Sequence, residues 1–286
     1  MSSAPLRASA IVMLYLSIGL VVGCRLVETT TQITAAKPPN SLPSIQTTAD
    51  AITLEVMFVE RPVSDPLLGS QLWSEVDQLS AIDSPTRRRL LDNGIRVGHG
   101  SSQPPRALQT LLGLQTNGIG VSPWNEQQRL VGRRVVLQSG GETEVQASPI
   151  YPSCNVEIVG PDGGRNTLEL ENARGIFRLH VERDQEGWAQ VRITPEIHHG
   201  QDRLRHVTSP SGGWQLRTTQ QIESQFDQAF TLTLNVGEMA VLGYNRDTAG
   251  SMGQFFFRNA NFESPVERLV VVRLANMKSV ELNPGQ

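Results

Sequence analysis

Alternating apolar and polar positions predict a strand at the start of the folded region. Every second residue there is apolar: Ile52, Leu54, Val56 and Phe58. Thr53 and Glu55 lie between them, which gives the two-residue period of a half-buried strand. The strand is expected to end near Pro62, because proline cannot donate to a strand ladder.

The period becomes helical over residues 65–113. Apolar residues now recur at spacings of three and four: Leu68, Leu72, Val76 and Leu79. A second helix is predicted to begin at Asp83-Ser84-Pro85, an N-cap followed by an early proline, and to end at Gly94. Pro104-Pro105 opens a third, short helix that ends at Gly113.

Strand segments separated by turns fill the chain from residue 118 onward. Three pairs flank turn sequences and predict hairpins: 133–137 with 143–147, 156–159 with 167–170, and 175–182 with 188–195. Residues 230–236 alternate again and pass through Gly237-Glu238 into another strand. Residues 268–274 are apolar on both faces, so they predict a strand internal to a sheet. The expected class is α+β, dominated by antiparallel strands, with a short helical segment near the start.

The amino terminus has the pattern of an export signal. Arg7 precedes an uncharged run over residues 8–22, which at ~1.5 Å per residue would cover about 22 Å of a hydrocarbon layer ~30 Å thick. Val21-Val22-Gly23-Cys24 resembles the lipobox of bacterial lipoproteins, in which the cysteine becomes the lipidated amino terminus. A plain secretory signal with an incidental cysteine is the alternative. We expect residues 1–23 to be a signal peptide and Cys24 a lipid anchor.

The segments after Cys24 are predicted from composition. Residues 24–50 are rich in Thr, Pro, Ala and Ser and read as a disordered tether. Arg25 is not acidic, which by resemblance to bacterial lipoproteins favours the outer membrane, facing the periplasm. We expect residues 51–115 to open the folded domain with a strand and helices, residues 116–280 to form a β domain, and residues 281–286 to be a tail.

Composition and charge exclude several classes of protein. The 286 residues include 25 Lys plus Arg against 28 Asp plus Glu, a formal charge of −3, which argues against nucleic acid as a partner. With Cys24 acylated, Cys154 is the one thiol left, so no internal disulfide and no Cys-x-x-Cys metal site is expected.

No pattern of catalytic residues emerges. His198 and His199 are adjacent, so in a strand they face opposite ways and cannot chelate one ion; we interpret them as a polar loop pair. Glu55 and Glu60 lie five apart, on opposite strand faces, and do not form a carboxylate dyad. The sequence therefore predicts no enzyme, no cofactor and no metal. A hydrolase that uses His198 or His199 is a third-ranked alternative.

The carboxyl-terminal half resembles a known family. Residues 190–200 and 230–243 are similar to two strands of the secretin homology domain of type II and type III secretion pores. The matching residues are Thr194, Pro195, Glu196, Gly237, Glu238, Val241, Leu242 and Gly243. Weaker matches follow the family order at residues 52–60, 133–145, 251–257 and 267–274. The chain departs from the family where Tyr244 replaces the second glycine and where residues 245–254 shorten the gate-like segment.

This resemblance implies a secretin-like antiparallel sheet with those eight residues in structural roles. It also implies part in protein secretion, as an export pore or in its assembly, through homo-oligomers or other envelope components. At a length of 286 residues, we expect no room for the ring-building domains that precede a secretin pore. A lipid-tethered structural or interaction protein that derives from the same fold and forms no pore is therefore the alternative.

Overall fold

The computed structural model describes residues 49–114, 129–208, 214–259 and 265–280. The chain divides into two units, Met1–Gln46 and Thr47–Gln286, and every described residue lies in the second. Its strands form two antiparallel sheets, as the alternating pattern predicts.

The first sheet joins strands from both ends of the described chain. Its strands are β1 (Ala49–Pro62), β2 (Ile95–Gly100), β3 (Arg129–Gln138), β10 (Met239–Tyr244), β11 (Arg258–Asn259) and β12 (Val266–Val280). They are ordered β2-β10-β12-β1-β3, with β11 paired to β12. The predicted internal strand is confirmed, because β12 lies between β10 and β1.

The second sheet contains the middle of the chain. Its strands are β4 (Gly141–Gln146), β5 (Tyr151–Val159), β6 (Arg165–Gln185), β7 (Trp188–Thr208), β8 (Trp214–Ser224) and β9 (Phe230–Asn235). They are ordered β4-β6-β7-β8, with β5 on β6 and β9 on β7. The predicted β5–β6 and β6–β7 hairpins are both present.

Short helices cover the outer face of the first sheet or lie near its ends. They are α1 (Ser70–Glu75), α2 (Ser84–Asp92), α3 (Arg106–Leu111) and α4 (Met252–Phe257), with 3-10 turns at Pro66–Leu68 and Phe226–Gln228. Asp83 caps α2 as predicted, since its Oδ1 accepts a hydrogen bond of 2.9 Å from the Thr86 amide. Gly94 follows that helix at φ +80°, a conformation that favours glycine.

Two apolar clusters separate three layers. The larger lies between the two sheets and includes Leu54 of β1, Leu179 of β6 and Val191 of β7, all fully buried. The smaller lies between the first sheet and the helices, where Trp73 of α1 and Val271 of β12 meet. The first sheet is therefore buried on both faces, which explains the apolar run along β12.

Two local predictions are wrong. Residues 133–137 and 143–147 do form strands, but β3 pairs with β1 and β4 pairs with β6, so the predicted hairpin is instead a crossing between sheets. The first helix ends at Glu75, and Leu79, expected on its apolar face, is 76% exposed. The cause is a bridge between Asp77 and His99 of β2, which draws the chain away from the helical path.

The predicted segments 51–115 and 116–280 both contribute strands to the first sheet. Their boundary stays a prediction. Residues 1–48 lie outside the described part, and with them the signal, Cys24 and most of the tether.

Candidate functional site

The eight residues singled out by the family resemblance fall into two groups. Thr194, Pro195 and Glu196 are in β7, in the second sheet, while Val241, Leu242 and Gly243 are in β10, in the first. Strand β9 links the groups, because Phe230 pairs with Ile193 next to the first group and Asn235 leads into Gly237 and Glu238. Six residues of strand span about 20 Å, so the structure does not gather the eight into one site.

Glu196 is the centre of a buried polar network. Arg178 of β6 donates two hydrogen bonds to its carboxylate, from Nε to Oε1 at 2.8 Å and from Nη2 to Oε2 at 3.1 Å. Ser224 donates to Oε1 at 2.9 Å. The Glu196 side chain is 2% exposed. Arg178 therefore supplies the positive charge, and Arg178 and Ser224 the hydrogen-bond donors, that a buried carboxylate requires.

His198 is the third partner of Glu196 and corrects the interpretation of a polar loop pair. Both His198 and His199 are in strand β7, not in a loop. The His198 Nε2 atom lies 3.1 Å from Glu196 Oε2, and the residue is buried. As predicted for adjacent strand residues, the two rings have different surroundings: His199 lies 3.8 Å from Glu223, which is on β8.

The network lowers the pKa of Glu196. Burial raises that pKa, but hydrogen bonds from His198, Arg178 and Ser224 outweigh it and bring it from 4.5 to about 2. Its hydrogen bonds to Glu196 raise the pKa of Arg178 in turn, against the opposite effect of burial. The pair is therefore ionised at any pH near neutrality.

An open cleft of about 440 Å³ lies beside this network. Its walls come from β4, β6, β7, the end of β8 and the turn that follows β8: Glu142, Arg178, His180, Arg192, Thr194, Glu196, Ser224 and Phe226. Arg178 also approaches Glu142, with Nη1 to Oε2 at 3.3 Å, and Glu144, with Nη2 to Oε1 at 3.6 Å. Three carboxylates thus surround one guanidinium.

These side chains do not fit a metal ion. Glu144, Glu196 and His198 each place one ligand atom within 4.8 Å of the others. Arg178 already lies between the two carboxylates, and its guanidinium does not lose its charge in proteins. A cation at this position would have to displace Arg178, so the arrangement is an ion-pair network.

The geometry also differs from that of a nucleophilic triad. Ser224 and His198 both bond to Glu196 rather than to each other. A serine nucleophile needs a histidine within hydrogen-bond reach to accept its proton. The cluster holds three strands together and offers no activated nucleophile.

Glu238 is a smaller polar centre at the other end of β9. One of its oxygens, Oε2, accepts a hydrogen bond from the Asn235 amide at 2.8 Å and lies 3.1 Å from His99 Nε2. The backbone of this turn also bonds to β12, through Gly237 N to Leu274 O at 2.7 Å. Glu238 and Gly237 therefore fix the crossing between the two sheets.

Val241, Leu242 and Gly243 have packing roles. Val241 and Leu242 are fully buried. A Cβ atom at Gly243 would lie 2.7 Å from Cζ2 of Trp73 and 3.0 Å from Cδ1 of Leu269, so glycine there leaves room for the indole ring. Val241 and Gly243 thus shape the contact between the first sheet and α1, whereas Leu242 packs in the larger cluster between the two sheets.

Neither cysteine belongs to the Glu196 network. Cys24 lies outside the described residues, so its lipidation stays a prediction. Cys154 of β5 is half-buried, and burial raises the pKa of its thiol, which disfavours the reactive thiolate. Within the described ranges, no helix has both the length and the apolar character needed to cross a bilayer.

The family resemblance singles out Glu196 in the sequence but not its partners Arg178 and Ser224. One clue was available: Arg178 alternates with Phe177 and Leu179 in a strand predicted to pair with the strand that contains Glu196. That pairing places Arg178 directly opposite Thr194, one diagonal step from Glu196.

The chain matches no family model and no curated protein. Among solved structures, the pilotin–secretin complex AspS–GspD of ETEC is 11% identical, with a TM-score of 0.22, and 94% of this chain is covered. The type II secretin GspD of enteropathogenic Escherichia coli is 10% identical, with a TM-score of 0.18 over 78% of this chain. The type IV competence pilus secretin PilQ of V. cholerae is 9% identical, with a TM-score of 0.17 over 78%.

This chain spans about half the length of the first of these proteins, 52%, and 66% and 57% of the other two. TM-scores of this size do not establish a common fold.

Proposed function

We propose that this chain is a secretin-like lipoprotein of the bacterial outer membrane that faces the periplasm and takes part in protein secretion. In this proposal it oligomerises, either as an export pore or during the assembly of one, and Cys24 anchors it through acyl chains. A single acyl chain binds a membrane only marginally, so the several acyl chains of a lipoprotein suit stable attachment.

The side-by-side position of three family-like segments carries the proposal. Residues 52–60 resemble the family's opening strand, 267–274 its closing strand and 239–243 its glycine-containing strand. Here they form β1, β12 and β10, which are direct neighbours in one sheet. Segments far apart in sequence thus meet in one unit, which supports reading them as parts of one domain.

The open edge of the first sheet supports oligomerisation. Among the described residues, β3 pairs with β1 alone, so its other edge has free backbone groups. Three aliphatic side chains on this strand are exposed: Leu130 at 37%, Val131 at 41% and Val136 at 63%. Natural sheets protect such edges unless they pair with another chain.

The size of the assembly tests this proposal. The full chain, extracted in mild detergent, should form particles of several copies in negative-stain microscopy and mass photometry. Val136→Glu should reduce assembly by placing a charge on the β3 edge. Leu79→Glu is the matched control, because Leu79 is also an exposed aliphatic residue but lies outside the sheets.

The alternative is a lipid-tethered structural or interaction protein of the envelope that forms no pore. The short segment between Asn245 and Gln254, where the resemblance expects a gate, favours it. Dye release separates the two functions, since liposomes that contain the assembled chain should leak a small dye if it forms a pore.

We propose no catalytic activity for this chain. This part of the proposal is supported by the Glu196 network, in which every candidate acid or base is bound to another side chain. Replacing His198 and His199 with alanine would reveal an enzyme if it abolished a hydrolytic activity of the purified chain.

A further inference from the structure

A two-stranded ribbon extends beyond the second sheet. It is formed by residues 203–208 of β7 and 214–219 of β8, which pair with each other from Arg203–Thr219 to Thr208–Trp214. Pairing of β6 with β7 stops at Arg174–His198, and β9 covers only Trp188–Ile193 of β7. Within the described residues, this distal ribbon therefore has no third strand beside it.

The distal ribbon has two unlike faces. Paired residues in an antiparallel ladder share a face, and alternate residues along a strand change face. Leu204 and Leu216 consequently share one face, which also has the positions of their direct partners Thr218 and His206. The two leucines are 65% and 57% exposed, and Ile222 continues this face along β8 at 40%. The opposite face carries the positions of three arginines: Arg203, Arg205 and Arg217.

Such a ribbon needs a cover for its apolar face. A single two-stranded hairpin is at best marginally stable in water, and three or more strands or a packing partner are required for independent stability. Two leucines with more than half of their surface in water, on neighbouring strands, form an unpaired apolar patch. A partner that covered this patch would therefore stabilise the ribbon.

The charge of the ribbon decides between its possible partners. Its residues 203–208 and 214–219 contain three arginines, one histidine and no acid. Arg205 and Arg217 are already direct cross-strand partners, so stacking a second ribbon on the first would bring six arginines together. Anionic phosphate groups above an apolar layer satisfy both faces at once.

We propose that the distal ribbon binds an anionic lipid surface. Leu204, Leu216 and Ile222 enter the outer part of the acyl layer, while the arginine positions of the other face remain among the phosphate groups. This contact is separate from oligomerisation and from Cys24 acylation, and it would hold for a chain that stays monomeric.

Amide hydrogen exchange of the full chain distinguishes membrane binding by the ribbon from membrane binding by the amino terminus, because it reports which residues are protected. Amide exchange is followed by mass spectrometry without vesicles, with neutral phosphatidylcholine vesicles, and with vesicles of phosphatidylethanolamine and phosphatidylglycerol. In the anionic vesicles, the amides of residues 203–208 and 214–219 should exchange roughly tenfold more slowly, whereas those of β3 should not change.

Paired variants test the two faces. Leu204→Gln with Leu216→Gln should abolish the protection of the ribbon, and exchange along the β6–β7 ladder should stay as in the parent chain. Arg203→Gln with Arg217→Gln should raise the vesicle concentration for half-maximal protection roughly thirtyfold, at about fivefold per arginine. Leu79→Gln, a change at an exposed aliphatic residue outside both sheets, should have no effect on the ribbon.

Two results would overturn the proposal. One is equal exchange of the ribbon with and without anionic vesicles. The other is protection that appears without vesicles and grows with protein concentration, which would assign the face to a second copy of the chain.

Discussion

Arg178 and Glu196 are joined by two parallel hydrogen bonds of 2.8 and 3.1 Å between neighbouring strands of the second sheet. The carboxylate is almost completely buried, while about a third of the arginine side chain reaches solvent. The pair connects β6 to β7. His198 extends the network along β7, and Ser224 extends it onto β8. It therefore fixes the base from which the distal ribbon projects.

Removing the arginine should cost more than the pair itself contributes. In Arg178→Met the Glu196 carboxylate stays buried without its cation, and we expect the free energy of unfolding to fall by about 3 kcal/mol. Urea denaturation measures this change. The double variant Arg178→Met with Glu196→Gln should recover part of the loss, because no buried charge is then left unpaired: Glu142 and Glu144, the other two partners of Arg178, are each 50% exposed.

Arg134→Met is the matched control for that experiment. Arg134 pairs with Glu55 at 2.5 Å, but 67% of its side chain is exposed, so its loss should cost at most about 1 kcal/mol. Equal effects of the two single variants would contradict the role assigned to Glu196.

Acid should weaken the fold through Glu196. Its pKa is about 2 in the folded chain against 4.5 ordinarily, so the folded state binds the proton less readily. The stabilisation is complete above about pH 4.5 and is lost as the pH falls towards 2, a change of about 3 kcal/mol. Urea denaturation at several pH values in this range measures the free energy of unfolding. That free energy should depend less on pH in Glu196→Gln than in the parent chain. Equal pH dependence in the two chains would contradict the role assigned to Glu196.

Gly243 should not tolerate a methyl group. Gly243→Ala brings Cβ to 2.7 Å from the Trp73 ring, and this overpacking should lower the free energy of unfolding by about 1–3 kcal/mol. Thermal unfolding checks the prediction. A combined Trp73→Leu change should reduce the added cost of the alanine, because the two sites are in contact.

Gly132 provides the comparison within the same sheet. The nearest atom to a Cβ there is Met57 Cγ at 3.9 Å, so Gly132→Ala should be neutral or slightly stabilising. A large loss at Gly132 would show that the alanine effect comes from the strand backbone and not from Trp73.

The sequence predicts the strands better than their partners. Alternation located β1, and the doubly apolar run of residues 268–274 identified an internal strand, because both features depend on the local pattern of burial. Gly140-Gly141 correctly marks a reversal between β3 and β4. It cannot show that β3 joins β1 in one sheet while β4 joins β6 in the other.

The sequence does not predict the Glu196 network, because its residues lie on a strand face that is expected to be exposed. Glu196 and His198 occupy the outward face of a strand, where polar residues normally meet water. Both are buried, and the Gln225 amide bonds to Pro195 O, which brings the segment after β8 against this part of β7. Only the tertiary structure shows that such an outward face is covered.

Lipidation of Cys24 has a direct test. Cys24→Ser should abolish incorporation of labelled palmitate and leave an unprocessed precursor or soluble protein, because the thiol is the proposed acceptor. Cys154→Ser is the control, since its half-buried thiol has no part in anchoring. Unchanged labelling or membrane partitioning of Cys24→Ser would contradict the anchor.

We propose that the chain works as an assembled envelope protein, and the mass of the purified chain in mild detergent tests that proposal. One copy is 31.4 kDa before processing. We predict a discrete particle of several copies that shifts towards monomers in Val136→Glu and not in Leu79→Glu. A parent chain that remains monomeric at every concentration would contradict the claim.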